Sequence, residues 1–376
     1  MSARLTRMER LAGELDARQL DALLVDSLVD VRYLSGFTGS NALVLAVGSS
    51  AQARLGPPRF LSDFRYATQS AEQVADVFAR EIVTEDLLGE LAKTLAASSP
   101  KGEHGGRLGF EEASVTVKGY RRLVEQLGQG WELVPCAGVV AGLRAVKDAE
   151  EVARIRAASE LADEALRKVL EDGLVGRSER EVAIELELCM RRLGAQAPSF
   201  PTIVAAGAHG ALPHAEPREQ EIPSDVLVTI DWGALHEGYC SDCTRTYATG
   251  EDISAQAREV YELVLAAQQC GLDALRAGPS GQEVDALARA VIERAGHGEH
   301  FGHGLGHGVG MEIHEGPRLS RSAPAEEPLR TGNVVTVEPG VYIPGVLGVR
   351  IEELAVVTDD GCQVLTGLPR TLTVIA

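Results

Sequence analysis

Gly176-Arg-Ser178-Glu-Arg-Glu181-Val182 and Gly278-Pro-Ser280-Gly-Gln-Glu283-Val284 carry one pattern twice, 102 residues apart. Glycine, serine, glutamate and valine recur at that offset, as do Arg192/Arg294 and Gly194/Gly296, where each segment closes. Serine followed three residues later by glutamate is a capping box, so each copy predicts a helix start, and the later glycine its end. Upstream, Asp148-Ala-Glu-Glu151 offers another cap. Val152, Ile155, Leu161, Leu166, Val169 and Leu170 then supply an apolar helix face. After the first copy comes Val226-Leu-Val-Thr-Ile-Asp231, then Tyr239-Cys-Ser-Asp242-Cys-Thr-Arg-Thr246. After the second comes Val334-Val-Thr-Val-Glu338, a Pro/Gly-rich loop, then Val349-Arg-Ile-Glu352-Glu-Leu-Ala-Val-Val357. Both predict β-hairpins with one carboxylate per strand. Helix, helix, hairpin, twice over, predicts a pseudo-two-fold α/β domain with two carboxylates from each half at a shared centre.

A turn between His236 and Glu237 would set Asp231 opposite Asp242, with Cβ atoms about 4.5–5.5 Å apart on one face. A turn centred on Gly345 would set Glu338 opposite Glu352. Four carboxylates in two facing pairs are untenable in a buried site without a cation. Oxygen-rich ligation with one nitrogen suits manganese, cobalt, iron or zinc, and two ions better than one. The nitrogen is expected from Gly302-His303-Gly-Leu-Gly-His307-Gly-Val-Gly310. Glycine at every even position disfavours a helix, which excludes an i, i+4 metal clasp. In an extended segment the two histidines lie roughly 13 Å apart, so only one reaches a given ion. His314 would point to the same side as His307 only if the strand bends. Cys240 and Cys243 form a lone CxxC whose side chains face opposite ways on a strand, so packed thiols are expected rather than a zinc knuckle. The glycine–histidine tract is no nucleotide loop, because it lacks a phosphate-binding lysine.

The rest of the chain has a different texture. Apolar runs at Ala22–Val25, Ala42–Val47, Phe60–Ser62 and Leu108–Phe110 predict strands, with helices between them and Asp63 as an N-cap. A mixed α/β domain over residues 1–135 is expected, with a linker at 136–147 and the duplicated domain at 148–376. The 376 residues favour two domains, and 36 basic against 55 acidic side chains leave a net charge of −19. So acidic a chain has no electrostatic footprint for nucleic acid or an anionic membrane surface. No apolar stretch is long enough to span a bilayer, and Met1 to Leu20 does not read as a signal peptide. Six cysteines in a chain this long make no disulfide scaffold, so a cytoplasmic protein is expected.

At these residues the chain resembles the pita-bread metallopeptidases, and most of all the Xaa-Pro branch of prolidase and aminopeptidase P. Asp231-Trp-Gly233, Ser241-Asp242-Cys-Thr-Arg-Thr246, His303-Gly-Leu-Gly-His307, Thr336-Val-Glu338-Pro-Gly340 and Arg350-Ile-Glu352 match in the family's order. Val31-Arg-Tyr-Leu-Ser-Gly-Phe-Thr-Gly-Ser40 and Asp63-Phe-Arg-Tyr66 resemble its creatinase-type N-terminal domain, and Gly142-Leu-Arg-Ala-Val-Lys-Asp148 its approach to the catalytic domain. The resemblance implies two divalent metal ions, manganese first and cobalt or zinc as alternatives. Asp231, Asp242, His307, Glu338 and Glu352 would be the ligands, with Asp242 and Glu352 bridging. It further implies Glu338 as general base and acid, His214 near the leaving group, His314 at the oxyanion and Arg350 ordering the carboxylates. Short proline-containing peptides are the implied substrates and a homodimer the implied assembly. The compact chain favours dipeptides over the longer peptides of aminopeptidase P. A methionine aminopeptidase would share the five ligands but not the N-terminal domain or Arg350. A creatinase works without these metal ligands, and a non-catalytic relative usually lacks one of them.

Overall fold

The computed structural model describes residues 3–84, 86–98, 105–127 and 130–376. The chain divides into two units, Met1–Arg144 and Ala145–Ala376. Residues 1 and 2 of the Met1–Leu20 stretch lie outside the described residues; a helix covers Ala3–Ala17.

In the first unit, strands form where the apolar runs lie. Ala22–Val25, Ala42–Val47, Arg59–Asp63 and Gly106–Glu111 join Ala79–Val83 and Trp131–Cys136 in one six-stranded mixed sheet. Ala22–Val25 and Ala42–Val47 are buried at every residue, which is why they read as unbroken apolar runs. Helices Leu87–Ala97 and Val117–Leu127 send Leu91, Leu95 and Leu123 into the core beside Leu24, Leu45 and Leu108. Asp63 caps the turn Phe64–Tyr66, its side chain accepting from the Arg65 amide. The stretch read as a linker is more ordered than its composition implied. Cys136 ends a strand, and Val139–Arg144 forms a helix whose start is held by the Glu111 carboxylate on the Gly138 and Val139 amides. A single turn and a half of helix is too short to leave a periodic pattern.

The second unit is built twice. Helices Ala149–Leu170 and Glu179–Arg192 are matched by Ala255–Ala274 and Gly281–Arg294. Ser178 and Ser280 both close complete capping boxes, and each also makes an isolated antiparallel bridge, to Glu221 and to Pro328. The glycines just ahead, Gly176 and Gly278, have φ of +81° and +112°, which a side chain would resist. Core positions repeat at the same offset. Val182, Leu186 and Met190 pack under Ile230 and Trp232, whereas Val284, Ala288 and Ile292 pack under Val335 and Val337. On the opening helix the buried apolar residues are Ile155, Ala158, Ala162, Ala165, Leu166 and Val169, half of them alanines, with Glu151, Ser159 and Asp163 buried beside them.

Antiparallel sheets lie above these cores: Ile203–Ala206, Leu227–Trp232 and Cys243–Ala248 make three strands in one half, and Glu315–Leu319, Gly306–Gly308, Val334–Val337, Glu353–Val357 and Cys362–Val364 make five in the other. They meet where Glu352 N donates to Thr244 O at 3.1 Å and Thr246 Oγ1 donates to Arg350 O at 2.9 Å. That seam is where the carboxylates gather.

Candidate metal centre

The first hairpin does not have the expected register. Its loop is Glu237-Gly238, closed by the pair His236 and Tyr239, with φ of +49° and +84° at the two loop residues. Positive φ at both positions is the two-residue turn that suits the twist of a hairpin, and glycine in second place is its signal. Asp231 therefore stands opposite Thr244, not Asp242. The slip is two residues, an even number, so the face is kept. Asp242 falls in the break between Tyr239–Cys240 and Cys243–Ala248 and turns towards the same centre. The second hairpin has the expected register: Val337 faces Glu353 and Gly340 faces Arg350, which leaves Glu338 and Glu352 across from each other between those pairs.

One ligand atom each from Asp231, Asp242 and Glu352 lies within 4.8 Å of the others. Asp231 Oδ1 and Glu352 Oε1 are buried with no hydrogen-bond partner. Their second oxygens are held: Arg350 Nη2 donates to Asp231 Oδ2 at 2.6 Å, and Thr244 Oγ1 to Glu352 Oε2 at 2.7 Å. Burial raises the Asp242 and Glu352 carboxyl pKa values well above the carboxylate range, and repulsion from neighbouring carboxylates adds to it. Unpartnered buried oxygens aimed at a common point among repelling acids fit hard divalent cations.

His307 sits on the short strand Gly306–Gly308. Its Nε2 lies 3.3 Å from Glu338 Oε1 and 3.6 Å from Asp242 Oδ2, and burial lowers its pKa, which keeps the imidazole neutral and able to ligate. Gly306 has no alternative residue. A Cβ there would meet Thr336 O at 2.0 Å, because the segment lies flat on the next strand. His303 points elsewhere, with its Nε2 2.9 Å from the Tyr342 hydroxyl. Glu338 accepts from Thr336 Oγ1 at 2.9 Å, and its carboxyl pKa is raised by burial against the opposing pull of His303 and Arg350.

The bend that His314 needs is present. His307 pairs with Arg318 but Gly308 pairs with Glu315, an irregularity that turns the intervening chain. The His314 ring then stands edge-on to His307 with centroids 4.4 Å apart. Burial lowers the His314 pKa, helped by His307, so it is a neutral donor at pH 7. His214 lies on the same cavity of ≈ 750 Å³, which is lined by Asp231, Asp242, His303, His307, His314, Glu338, Arg350 and Glu352, with Phe200, Pro201, Ile203, Pro213 and Ile313 as its apolar wall. All eight site residues named from the sequence thus border one cavity.

Two residues that the sequence did not single out complete the network. Tyr342 accepts from Arg350 Nη1 at 2.8 Å, and burial pushes its own pKa up to about 12. Thr244 accepts from Arg350 Nε at 3.0 Å while donating to Glu352. A tyrosine or threonine in a strand reads only as β-propensity; the room for the Tyr342 ring comes from Gly340, where a Cβ would meet that ring and its hydroxyl. Cys240 and Cys243 are buried thiols directed at the Met311 and Glu352 carbonyls.

Residues 153–359 match metallopeptidase family M24, and residues 7–146 match the creatinase/prolidase N-terminal domain. The Xaa-Pro dipeptidase of Pyrococcus furiosus is 35% identical over 97% of this chain and 99% of its own. A solved Xaa-Pro dipeptidase from Bacillus anthracis superposes with a TM-score of 0.90 at 38% identity, covering 99% of each chain. The X-Pro aminopeptidase of Thermotoga maritima gives 0.86 at 35% identity, covering 98% of this chain and 100% of the other. Duplicated frame, carboxylate cluster and both matched regions agree, and the chain belongs to metallopeptidase family M24 and carries a creatinase/prolidase-type N-terminal domain.

Proposed function

We propose that this metallopeptidase hydrolyses the bond before proline in short peptides, dipeptides foremost, with Asp231, Asp242, His307, Glu338 and Glu352 holding two divalent ions. The observation that carries the reading is the trio of carboxylates, two buried and Asp231 nearly so, with two unpartnered buried oxygens in a cavity with an apolar wall. Oxygen donors plus one imidazole suit manganese first, with cobalt or zinc as alternatives. Asp242 and Glu352, both buried and each with a ligand atom within 4.8 Å of one on Asp231, would be the two ligands shared by both ions.

When bound, the ions supply acidification of a water molecule and polarisation of the substrate carbonyl. The residues do the rest. Glu338, on the cavity wall with its Oε1 3.3 Å from His307 Nε2, takes the proton of the attacking water. His314, neutral, donates to the oxygen that gains charge in the transition state. Proline's imide nitrogen carries no hydrogen and leaves only once protonated, by Glu338 or by His214 on the cavity wall. Arg350 fixes Asp231 while donating to Tyr342, Thr244 and the Pro213 carbonyl, so the carboxylates cannot swing apart.

A cavity of ≈ 750 Å³ falls within the size of small-ligand sites, about 300–1,000 Å³, which supports short substrates. The likeness to an aminopeptidase favours, as second reading, longer peptides with proline second. Turnover of Ala-Pro against Ala-Pro-Ala by the manganese-loaded protein tests both. Preference for the dipeptide supports the first reading, preference for the tripeptide the second, and cleavage of neither refutes both. A long chain with only six cysteines, too few for a disulfide scaffold, supports a reducing compartment such as the cytoplasm, and the family likeness of the N-terminal domain supports a homodimer, which sedimentation would check. No helix among the described residues is long and apolar enough to cross a membrane.

A further inference from the structure

Residues 301–305, which lead to His307, belong to no helix or strand. Gly302, Gly304 and Gly306 leave this segment with more backbone freedom to lose than any other residues would. Something must hold it, and one turn of the helix Gly281–Arg294 does. Asp285 and Arg289, both buried, form a two-pronged pair: Nε donates to Oδ2 at 2.8 Å and Nη2 to Oδ1 at 2.7 Å. The same groups reach the segment at alternate residues. Arg289 Nη1 donates to Phe301 O at 2.9 Å, Nη2 donates to His303 O at 2.6 Å, and Leu305 N donates to Asp285 Oδ1 at 2.9 Å. The guanidinium also lies 4.0 Å from the Phe301 ring centroid, and that ring meets His303 edge-on at 5.1 Å. Leu305 O in turn accepts the Glu338 amide at 2.8 Å.

The first half of the duplication lacks this arrangement. Its equivalent helix positions, 102 residues earlier, are Ala183 and Glu187. Glu187 has only a 3.5 Å contact with Thr202 N, and that half supplies no histidine to the carboxylate cluster.

We propose that Asp285 and Arg289 are positioning residues that hold the glycine-rich segment in the one path that delivers His307 to a metal ion and His303 to Tyr342. The inference rests on the dinuclear reading above. A buried ion pair can often be replaced by apolar side chains with little loss of stability, so its value here is geometric. Residues that orient metal ligands typically change affinity about 10–100-fold.

The test uses the full chain with Asp285→Leu and Arg289→Met combined, which leaves no unpaired buried charge, alongside Arg289→Lys. Amide exchange is measured on the metal-free proteins, and cobalt(II) binding is followed by its absorption spectrum. In the double variant, amides 303–307 are expected to exchange at least about tenfold faster while helix Ala149–Leu170 keeps its protection. One cobalt equivalent should bind as in the parent protein, and the other about 10–100-fold more weakly with an altered spectrum. Arg289→Lys should recover part of both changes. Two equivalents bound with unchanged affinity, or exchange that rises equally throughout the second unit, would overturn the proposal. Should the parent protein take up fewer than two cobalt ions, the dinuclear reading fails, and the exchange measurement alone still decides whether the pair holds the segment.

Discussion

At the scale of the residue, the two histidines of the glycine-rich segment carry separate tasks. His307 Nε2 lies among the carboxylates, whereas His303 Nε2 lies at the Tyr342 hydroxyl. His307→Ala should therefore lose metal after dialysis by more than the about 10–100-fold typical of a supporting residue, and His303→Ala should largely keep it. Equal loss in both variants would sink the assignment. Glu338→Gln should lower turnover by at least the about 10²–10⁴-fold that proton transfer contributes, and more than it weakens substrate binding. An inhibitor dissociation constant measured beside kcat separates the two effects, and turnover close to that of the parent would remove Glu338 from the mechanism.

At the scale of the element, the strand Gly306–Gly308 is the most constrained piece of the site. It fits only because Gly306 lies against Thr336 O, and Gly308 likewise has no room for a Cβ beside Gly316 O. The obstacle is backbone in both cases, so no rotamer change relieves it. Gly306→Ala should destabilise the unit by about 1–3 kcal/mol or more, as overpacking does, and displace His307. Thermal melts with and without manganese check this: the melting temperature should fall and the metal-induced rise should shrink. A variant with the parent's metal response would show that the strand tolerates the side chain. The contrast with exposed Gly302 is useful, since a Cβ there meets nothing within 4 Å.

At the scale of the molecule, the carboxylate cluster makes stability depend on pH and on metal together. Without metal, the raised pKa values of Asp242 and Glu352, against ordinary values of 3.8 and 4.5, mean that the native state binds more protons than the unfolded chain. The stabilisation from these groups is fully present below about pH 4 and is lost as pH rises through the raised values. Metal needs the ionised forms, so its affinity runs the other way. At a free concentration about 100 times Kd it should add about 2.7 kcal/mol. For a unit of this size that is roughly 5–10 °C in melting temperature. Calorimetry of the second unit near pH 5 and near pH 8 is expected to give a metal-free transition that is lower at the higher pH and a metal increment that is larger there. An increment independent of pH would mean that the cluster is already ionised without metal.

The sequence by itself determined the duplication and most of the site. Capping boxes, hairpin strands and apolar core positions are local patterns, repeated at Ser178 and Ser280 and at Val182 and Val284, and local patterns survive in one dimension. It determined the second hairpin's register as well, because Gly345 marks its turn. It misplaced the first by two residues, since Glu237-Gly238 accepts either centre until the twist of the strands chooses the turn with two positive φ values. The helix Val139–Arg144 was too short to show. The bend that brings His314 over His307, the reach of Tyr342 to Arg350, and the grip of Asp285 and Arg289 on residues 301–305 were decided only by the tertiary structure. Each depends on side-chain geometry across a turn, a bulge or an irregular segment, and neither periodicity nor spacing encodes where two such side chains will meet.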